Sequence, residues 1–290
     1  MHGWSSMHRH KKCISMYSLS KYIEYKMTAA SRSTFETISA LRHARAHGSL
    51  VDVTDFPHDI DVLTHLQTAA AMDGWHRGQA PKFWKSGGPS VDRPLFHAPL
   101  PAEGVWLHTR QQPPIRMTQP VCSLHGVEAE IALRIGQTLD QQQVLALDTN
   151  SVHSVVDAMT VSIEWVDSRW KQQLQSPLPM LQIDRLSHGG LVIADMWQPY
   201  APRDWSTQIC RVELHGGETH IFQGSHPLGD PSHVLLRWLL HATQHWGVVE
   251  AGTVVTTGSW CQILHALPGQ TVHVVFDEIG EASMQFAHAN

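Results

Sequence analysis

The most regular pattern in the chain is an alternation of apolar and charged residues over residues 127–134, V-E-A-E-I-A-L-R. Successive side chains of a β-strand point to opposite faces, so this alternation predicts a strand with one buried apolar face. Glu128 and Glu130 then lie side by side on the other face. Their repulsion is relieved either by solvent, as on an ordinary exposed strand, or by a hard divalent cation in a cavity. The pattern alone leaves both interpretations open.

A second alternation, over residues 161–166, predicts another strand that exposes a single carboxylate, Glu164, from an otherwise apolar segment. If the two strands are neighbours in one sheet, three glutamates converge. Three carboxylates and water molecules can complete an oxygen site for a cation and leave positions for a substrate.

The N-terminal part of the chain has a helical period instead. Residues 33–36, S-T-F-E, form a potential capping box, so a helix is predicted to begin at Ser33 and to end at Gly48. Residues 60–72 predict a second helix with one apolar face. Together these helices predict an arm over residues 33–78, and residues 148–159 predict a further short helix.

From residue 79 onward, glycine, proline and short β-like runs dominate, which is typical of a mainly β region. The Pro-rich segments 94–101 and 111–120 are predicted to be loops. Asp230 as N-cap and Pro231 as first helical residue predict a helix that ends at Gly247. Further strands are predicted at residues 191–193, 210–214, 220–222, 253–256, 271–276 and 282–286, the second and third of them as a hairpin.

Composition narrows the classes of protein. The chain has 290 residues and a formal net charge of −5, which gives no reason to expect nucleic acid or a membrane as partner. Its four cysteines are scattered without a C-x-x-C pair, which is typical of a reducing compartment. Residues 1–32 are polar and basic without the apolar core of a secretory signal, and we expect a disordered extension there. These features predict a soluble, cytoplasmic protein.

The 22 histidines suggest metal chemistry, but their spacing does not support it. His241 and His245 are four residues apart in a helical pattern, yet the H-E-x-x-H pattern of zinc proteases is missing, so we expect surface or core-edge positions. Ser225, His226 and Asp230 are the residue types of a hydrolase triad. Sequence neighbours rarely form one, and no G-x-S-x-G turn is present.

Five motifs follow one another along the chain: G-V-E-A-E-I-A-L-R-I, I-E-W-V-D-S-R, D-R-L-S-H-G-G, S-H-P-L and V-V-T-T-G-S. In this order they resemble the 2-keto-4-pentenoate hydratase branch of the fumarylacetoacetate hydrolase superfamily, from about residue 36 to the C-terminus. The resemblance implies an α+β, mainly β fold with a mixed β-roll or barrel-like core and an N-terminal helical arm. It also implies a catalytic domain over residues 79–290 and a homo-oligomeric assembly.

The same resemblance implies specific site residues. Glu128, Glu130 and Glu164 would bind Mg²⁺ or Mn²⁺. Lys85, in F-W-K-S-G, matches the active-site lysine of the family. Near a dication and partly buried, it should lose some preference for its charged form and exchange protons near neutral pH.

Two serines match family positions close to the substrate. Ser187, in D-R-L-S-H-G-G, corresponds to a serine that lines the pocket, and Ser259 ends the T-G-S turn at residues 257–259. Without the resemblance, both serines would be interpreted as turn residues.

The chain departs from the family just after Lys85. Ser86-Gly87-Gly88-Pro89 stands where Gly-Leu-Thr-Ser is usual, and residues 93–97, R-P-L-F-H, replace an acidic segment. The resemblance therefore does not predict the pocket wall formed by this loop. It also does not predict which substrate tail the wall would accept. His97 is a candidate polar group in the altered wall.

The function implied is metal-dependent addition of water to a 2-hydroxy-2,4-dienoate, giving a 4-hydroxy-2-oxo acid in aromatic catabolism. Decarboxylation of a 2-oxo-3-enedioate and hydrolytic carbon–carbon cleavage of an acylpyruvate use the same electron sink and stay open. The hydrolase needs a base, often a histidine paired with a glutamate in an H-x-x-x-E helix, and no clear helix of this kind is present. A non-catalytic member that binds an oxo acid is a fourth interpretation.

Overall fold

The computed structural model describes residues 29–288, so residues 1–28 of the predicted extension lie outside the described part. The first helix begins at Ala29, four residues before the predicted start. Ser33 is therefore an internal helical residue rather than a cap, and its carbonyl accepts a hydrogen bond from the Thr37 hydroxyl at 2.8 Å. The helices are α1 (Ala29–His47), α2 (Val62–Met72), α3 (Gln141–Leu145), α4 (Leu178–Ile183) and α5 (Leu235–His245).

The described chain also contains sixteen strands. In order they are β1 (Gly78–Gln79), β2 (Phe83–Gly87), β3 (Phe96–Leu100), β4 (Val105–His108), β5 (Ile115–Met117), β6 (Gly126–Ile135), β7 (Val156–Val166), β8 (His188–Ala194), β9 (Gln198–Pro199), β10 (Ile209–Leu214), β11 (Thr219–Gln223), β12 (Gly247–Val248), β13 (Val254–Ser259), β14 (Leu264–His265), β15 (Thr271–Phe276) and β16 (Gly280–Phe286). The predicted hairpin is confirmed by the antiparallel pairing of β10 with β11.

Two mixed sheets form a half-barrel, as the predicted α+β, mainly β class requires. The larger sheet has the path β3-β2-β13-β6-β7-β8-β4, and the smaller one has the order β11-β10-β15-β16-β5. The apolar face of β6 is fully buried in the main hydrophobic core, which also contains residues of β15 and β16 from the smaller sheet. Its four predicted core residues, Val127, Ala129, Ile131 and Leu133, each have 0% exposure. The opposite face of β6 is thereby left for the glutamates.

Three further predictions about local structure were wrong, one of a helix and two of loops. Residues 148–159 are not a helix: the Asp148 carboxylate accepts hydrogen bonds from the amides of Asn150 and Ser151, and a 3₁₀ turn at Val152–Val155 leads directly into β7. The long pairing of β6 with β7 extends to Val156 and outweighs local helix preference.

The two Pro-rich segments each contain a short strand rather than only a loop. Among the described strands, β3 lies at the edge of the larger sheet and pairs with β2 alone, and β5 lies at the edge of the smaller sheet and pairs only with β16. Proline is tolerated at such edges because the missing N–H need not pair with a second strand.

Helices α1 and α2 pack on the segment that follows β7, where they bury a second apolar cluster: Ile38, Leu41, Val53, Ala69, Trp170, Met180 and Ile183. The arm is thus joined to the loop region next to the glutamates. In the described residues, no helix has the length and apolar character needed to cross a lipid bilayer.

The beginning and end of α5 agree with the sequence prediction. The Asp230 carboxylate accepts a hydrogen bond from the Ser232 amide at 2.7 Å, and Pro231 opens a 3₁₀ turn that continues into α5. Gly247 ends the helical region with φ +125°, and a Cβ there would lie 2.2 Å from the carbonyl carbon of Gly78. Only glycine fits this conformation and this close approach.

Candidate metal centre and active site

The three glutamates converge because of the register between β6 and β7. Glu128 lies directly opposite Glu164, and Glu130 lies opposite Ser162. One carboxylate oxygen from each of the three glutamates lies within 4.8 Å of the others. Glu130 and Glu164 are buried, and Glu128 is half-buried. The solvent-exposed interpretation of the alternating strand is therefore wrong.

The carboxylate cluster is electrostatically strained without a cation. Burial raises the pKa of Glu128 to about 8, against the opposing effect of Lys85. Burial, followed by the charge of Glu164, raises the pKa of Glu130 to about 7. The pKa of Glu164 is also raised by burial, although Lys85 opposes the shift. Each carboxylate therefore holds its proton more tightly than a free glutamate does.

Lys85 is the counter-charge of this cluster. It lies on β2, and its Nζ donates hydrogen bonds to Glu164 Oε1 at 2.5 Å and to the Leu186 carbonyl at 3.3 Å. Burial by itself lowers the pKa of Lys85, but Glu164, Glu128 and Glu130 outweigh burial, and its pKa is raised. This direction is opposite to the one expected from the sequence, which assumed a dication beside the amine.

The cluster has the chemistry of a hard-cation site. Glu164 Oε2 is buried and has no hydrogen-bond partner among the described residues, so this acceptor is available to an ion. Three carboxylates and one ammonium carry a net charge of −2 when all are ionised, which one divalent cation neutralises. Oxygen ligands of this kind are those that Mg²⁺ and Mn²⁺ prefer. The residues therefore fit the implied metal.

The segment around Ser187 has an unusual backbone. Arg185, Leu186 and Ser187 have φ values of 53°, 56° and 61°, a left-handed conformation that costs energy in residues other than glycine. Arg169 holds this turn by donating to the carbonyls of Asp184 and His188, both at 2.6 Å. As a result, the turn directs the Leu186 carbonyl toward Lys85 Nζ.

Ser187 itself is buried, and its hydroxyl has no partner within the described part of the chain. It does not line the cavity above the glutamates, whereas its neighbour Leu186 does. The position predicted from the resemblance is thus behind the cavity wall in this structure.

The T-G-S turn contacts the metal centre through its glycine. The Gly258 amide, at φ +104°, donates to Glu130 Oε2 at 3.2 Å. Ser259 lines the cavity, but its hydroxyl already donates to the Gln262 carbonyl at 2.9 Å. Gly258 therefore orients a carboxylate, while Ser259 is held within its own turn.

The cavity above the glutamates has a volume of about 450 Å³. Among the described residues that line it, Lys85 is the sole cation, and no histidine reaches it. Its apolar lining consists mainly of Phe96, Val166, Leu174, Phe222, Pro227 and Ile263. The cavity is thus charged at the glutamate end, and the rest of its lining is uncharged, with apolar residues and the polar side chains of Ser86, Ser225, Ser259 and Gln262.

His97 does not line the cavity, so the prediction that it is a pocket group was wrong. Its Nδ1 lies 2.8 Å from the hydroxyl of Ser86, which does line the cavity. The two residues are cross-strand partners on β2 and β3. Burial, then the charges of His241 and Arg237, lowers the pKa of His97 to about 3, so the ring is neutral. The sequence did not point to Ser86, because only the pairing of β2 with β3 brings its hydrogen-bond partner, His97, next to it.

The histidines and the serine that were considered for a zinc site or a hydrolase triad do not form such sites. The His241 ring accepts a hydrogen bond from the Trp246 indole at 3.3 Å, in the expected core-edge position. The Ser225 hydroxyl donates to the Trp260 carbonyl at 2.6 Å, and His226 contacts the Thr257 carbonyl at 2.9 Å. A Ser-His-Asp triad is therefore excluded for these residues.

Several residues that position the site were missed from the sequence. Within the D-S-R motif, the Asp167 carboxylate accepts hydrogen bonds from the amides of residues 122–124 at 2.7–2.8 Å. His188 Nδ1 lies 3.2 Å from Glu164 Oε1. Arg45 of the arm donates to the Gly189 carbonyl at 2.7 Å. The motif was visible in the sequence, but its partners are distant along the chain.

Comparison with known proteins identifies the family. The sequence model of the fumarylacetoacetate (FAA) hydrolase C-terminal family matches residues 67–287. No curated protein matches the sequence significantly.

Solved structures share the fold. The 4-oxalocrotonate decarboxylase from Pseudomonas putida G7, complexed with magnesium and adipate, has a TM-score of 0.72 at 16% identity, covering 90% of this chain and 100% of that chain. The 2-hydroxyhepta-2,4-diene-1,7-dioate isomerase from Mycobacterium marinum has a TM-score of 0.54 at 15% identity, covering 73% of this chain and 76% of that chain. Fumarylpyruvate hydrolase from Pseudomonas aeruginosa, in complex with Mn²⁺ and pyruvate, has a TM-score of 0.51 at 11% identity, covering 72% and 91%. At these identities the likeness shows the fold alone.

Proposed function

The chain belongs to the fumarylacetoacetate hydrolase family, and from that premise we propose that it is a Mg²⁺- or Mn²⁺-dependent hydratase of a 2-hydroxy-2,4-dienoate. The observation that carries the proposal is the cavity: three glutamates and Lys85 meet at one end, and no other described residue that lines it is a cation. This arrangement suits an acid with one charged end and an uncharged tail.

Glu128, Glu130 and Glu164 would hold the cation, with Gly258 fixing Glu130 through its amide. When bound, the cation would act as a Lewis acid for a 2-oxo carboxylate and stabilise negative charge on the C2 oxygen. His188 would keep Glu164 oriented through the contact between its Nδ1 and Glu164 Oε1.

Lys85 is the proposed proton carrier. Its Nζ already lies at the carboxylate end and is held by Glu164 and the Leu186 carbonyl. Compensating the glutamate charges with a cation removes the interaction that raises the pKa of Lys85, so its proton becomes easier to transfer. For 2-hydroxypenta-2,4-dienoate, C5 gains a proton as the enol loses one, and water then adds across C3 and C4 to give 4-hydroxy-2-oxopentanoate.

Ser86 is the proposed polar group for the added water. It is buried, lines the cavity, and has a neutral histidine, His97, within hydrogen-bond distance. A neutral imidazole that donates through Nδ1 leaves the Ser86 proton free to bond water or substrate.

A 2-oxo-3-enedioate decarboxylase is the second candidate. The likeness to 4-oxalocrotonate decarboxylase over 100% of that chain supports it. The cavity argues against it, because the second carboxylate of an enedioate would find no cation among the described lining residues beyond Lys85, and would lie near apolar residues such as Phe96 and Phe222. A buried carboxylate without a partner is costly. The hydrolase has less support, since no described histidine lines the cavity to activate water.

The choice between these substrates is tested by comparing kcat/KM for 2-hydroxypenta-2,4-dienoate with that for a 2-hydroxy-2,4-dienedioate carrying a second carboxylate. We expect the monocarboxylate to be preferred by roughly 100-fold, because burying a second carboxylate without a cationic partner costs a few kcal/mol. A preference for the diacid, with loss of CO₂, would establish the decarboxylase instead.

Metal affinity is predicted to increase with pH. The raised pKa values of Glu128, about 8, and Glu130, about 7, mean that both carboxyls retain protons in the ion-free site below these values. A cation must displace those protons, and they leave as pH rises through the two pKa values. We expect Mn²⁺ affinity, measured by calorimetry, to rise on the order of tenfold from about pH 6 to about pH 8.5. Constant affinity over this range would contradict the raised pKa values.

A further inference from the structure

A second cavity lies between the arm and the catalytic core, with a volume of about 310 Å³. It is bounded by α1 and α2 on one side and by residues 183–185 on the other, and it shares no lining residue with the cavity above the glutamates. Four arginines of the described residues 29–288 line it: Arg42, Arg45, Arg169 and Arg185.

Three of these arginines have acidic partners. Arg42 and Arg185 both pair with Asp73, and Arg169 pairs with Asp184. The third lining acid, Glu103, is exposed and forms no ion pair within the described chain. Asp73 and Asp184 are thus already engaged by arginines.

Arg45 is the exception. In the part of the chain that the structure describes, it forms no ion pair with a carboxylate, and its guanidinium donates only to the carbonyls of Gly189 at 2.7 Å and His188 at 3.4 Å. Burial, then the positive charges of Arg169 and Arg185, lowers its pKa to about 9. A guanidinium has five N–H donors, so Arg45 keeps donors and an uncompensated charge for an anion.

We propose that this cavity is a binding site for a small organic monocarboxylate, whose carboxylate pairs with Arg45. Four arginines against three acids give the lining a net charge of +1, which one carboxylate neutralises. The apolar wall, which includes Ile38, Leu41, Ala69 and Ile183, suits a short hydrocarbon body rather than an inorganic anion. The volume lies at the small end of the range for ligand pockets.

The segment 184–188 separates this site from the metal centre and contacts both. On one side, the Leu186 carbonyl accepts from Lys85 and the His188 ring contacts Glu164. On the other side, the His188 carbonyl accepts from Arg45 and Arg169. A ligand on Arg45 would therefore bind next to the residues that orient the catalytic end of the first cavity.

The proposal is tested by calorimetric titration of the full-length protein with pentanoate after removal of divalent cations by a chelator. Without a divalent cation, the metal centre offers a carboxylate only Lys85, which is already paired with Glu164, so we expect binding there to contribute little. We expect the parent protein to bind one pentanoate per chain. Arg45→Gln should bind pentanoate at least roughly tenfold more weakly, and Arg134→Gln should bind it like the parent. Arg134 is a matched control, because its guanidinium pairs with Asp157 away from both cavities.

Ala46→Trp gives a second variant that removes no charge. Ala46 is exposed on α1 and lines the cavity, so a large side chain there should fill it and block pentanoate. The proposal is overturned if the parent does not bind pentanoate, if Arg45→Gln and Ala46→Trp bind like the parent, or if inorganic phosphate displaces pentanoate equally well. Because the titration uses neither metal nor turnover, its outcome is independent of the proposed hydratase activity.

Discussion

Glu130→Gln is expected to reduce metal-dependent activity strongly while leaving the fold intact. The substitution keeps the shape of the side chain but removes one of three negative charges that meet within 4.8 Å. It also weakens the acceptor for the Gly258 amide. We expect Mn²⁺ affinity to fall on the order of 100-fold and kcat/KM by roughly 10³-fold, since each factor of ten corresponds to about 1.4 kcal/mol.

Glu213→Gln is the matched control for this substitution. Glu213 is an exposed glutamate on β10 and lies outside both cavities, so it should change neither metal binding nor turnover. Calorimetry with Mn²⁺ and steady-state kinetics on the same samples give the two readouts. Parent-like Mn²⁺ binding by Glu130→Gln would show that the glutamate cluster is not the metal site.

Lys85→Met is expected to separate metal binding from catalysis. The substitution removes the ammonium that pairs with Glu164 but retains an unbranched side chain in the buried position. Loss of a positioned proton carrier should lower kcat by roughly 10²- to 10⁴-fold. Mn²⁺ should bind at least as tightly as in the parent, because the cation no longer competes with the lysine for the glutamates.

Lys82→Met provides the comparison, since Lys82 is an exposed lysine three residues earlier in the same region. Its kinetics should match those of the parent. Weaker Mn²⁺ binding in Lys85→Met, with kcat unchanged at saturating metal, would contradict the role of Lys85 as proton carrier and leave it only a structural one.

Both substitutions address residues that the sequence had suggested. Glu130 was suggested by a local strand pattern, and Lys85 by the resemblance to a family. The alternation around Glu128 and Glu130 requires only the two-residue period of a strand. The convergence with Glu164 needed the additional assumption that the two strands pair, and the register of β6 with β7 provides that pairing. Lys85 followed from the family motif, since nothing in its spacing distinguishes it from Lys82.

The rest of the site depends on contacts between distant segments, which a single sequence does not reveal. Arg45 reaches residues 188–189 across more than a hundred positions of sequence. The left-handed turn at residues 185–187 contains no glycine that would mark it. The hydrogen bond between Ser86 and His97 follows from the pairing of β3, in a segment whose prolines predicted a loop.

The pKa of Lys85 could not be predicted from the sequence for a different reason, which is the charge of its surroundings. Sequence reasoning placed the lysine beside a cation and expected its pKa to fall. In the glutamate cluster alone, three nearby carboxylates outweigh burial and its pKa rises. The sign depends on whether the cation is bound, so occupancy of the metal centre and the protonation of Lys85 are coupled.

The central claim is tested most directly by incubating the parent protein with 2-hydroxypenta-2,4-dienoate and identifying the product by NMR, with and without Mn²⁺ after chelation. We expect 4-hydroxy-2-oxopentanoate to form only when Mn²⁺ or Mg²⁺ is restored. Tight Mn²⁺ binding to the protein without any conversion of the dienoate would contradict the hydratase assignment.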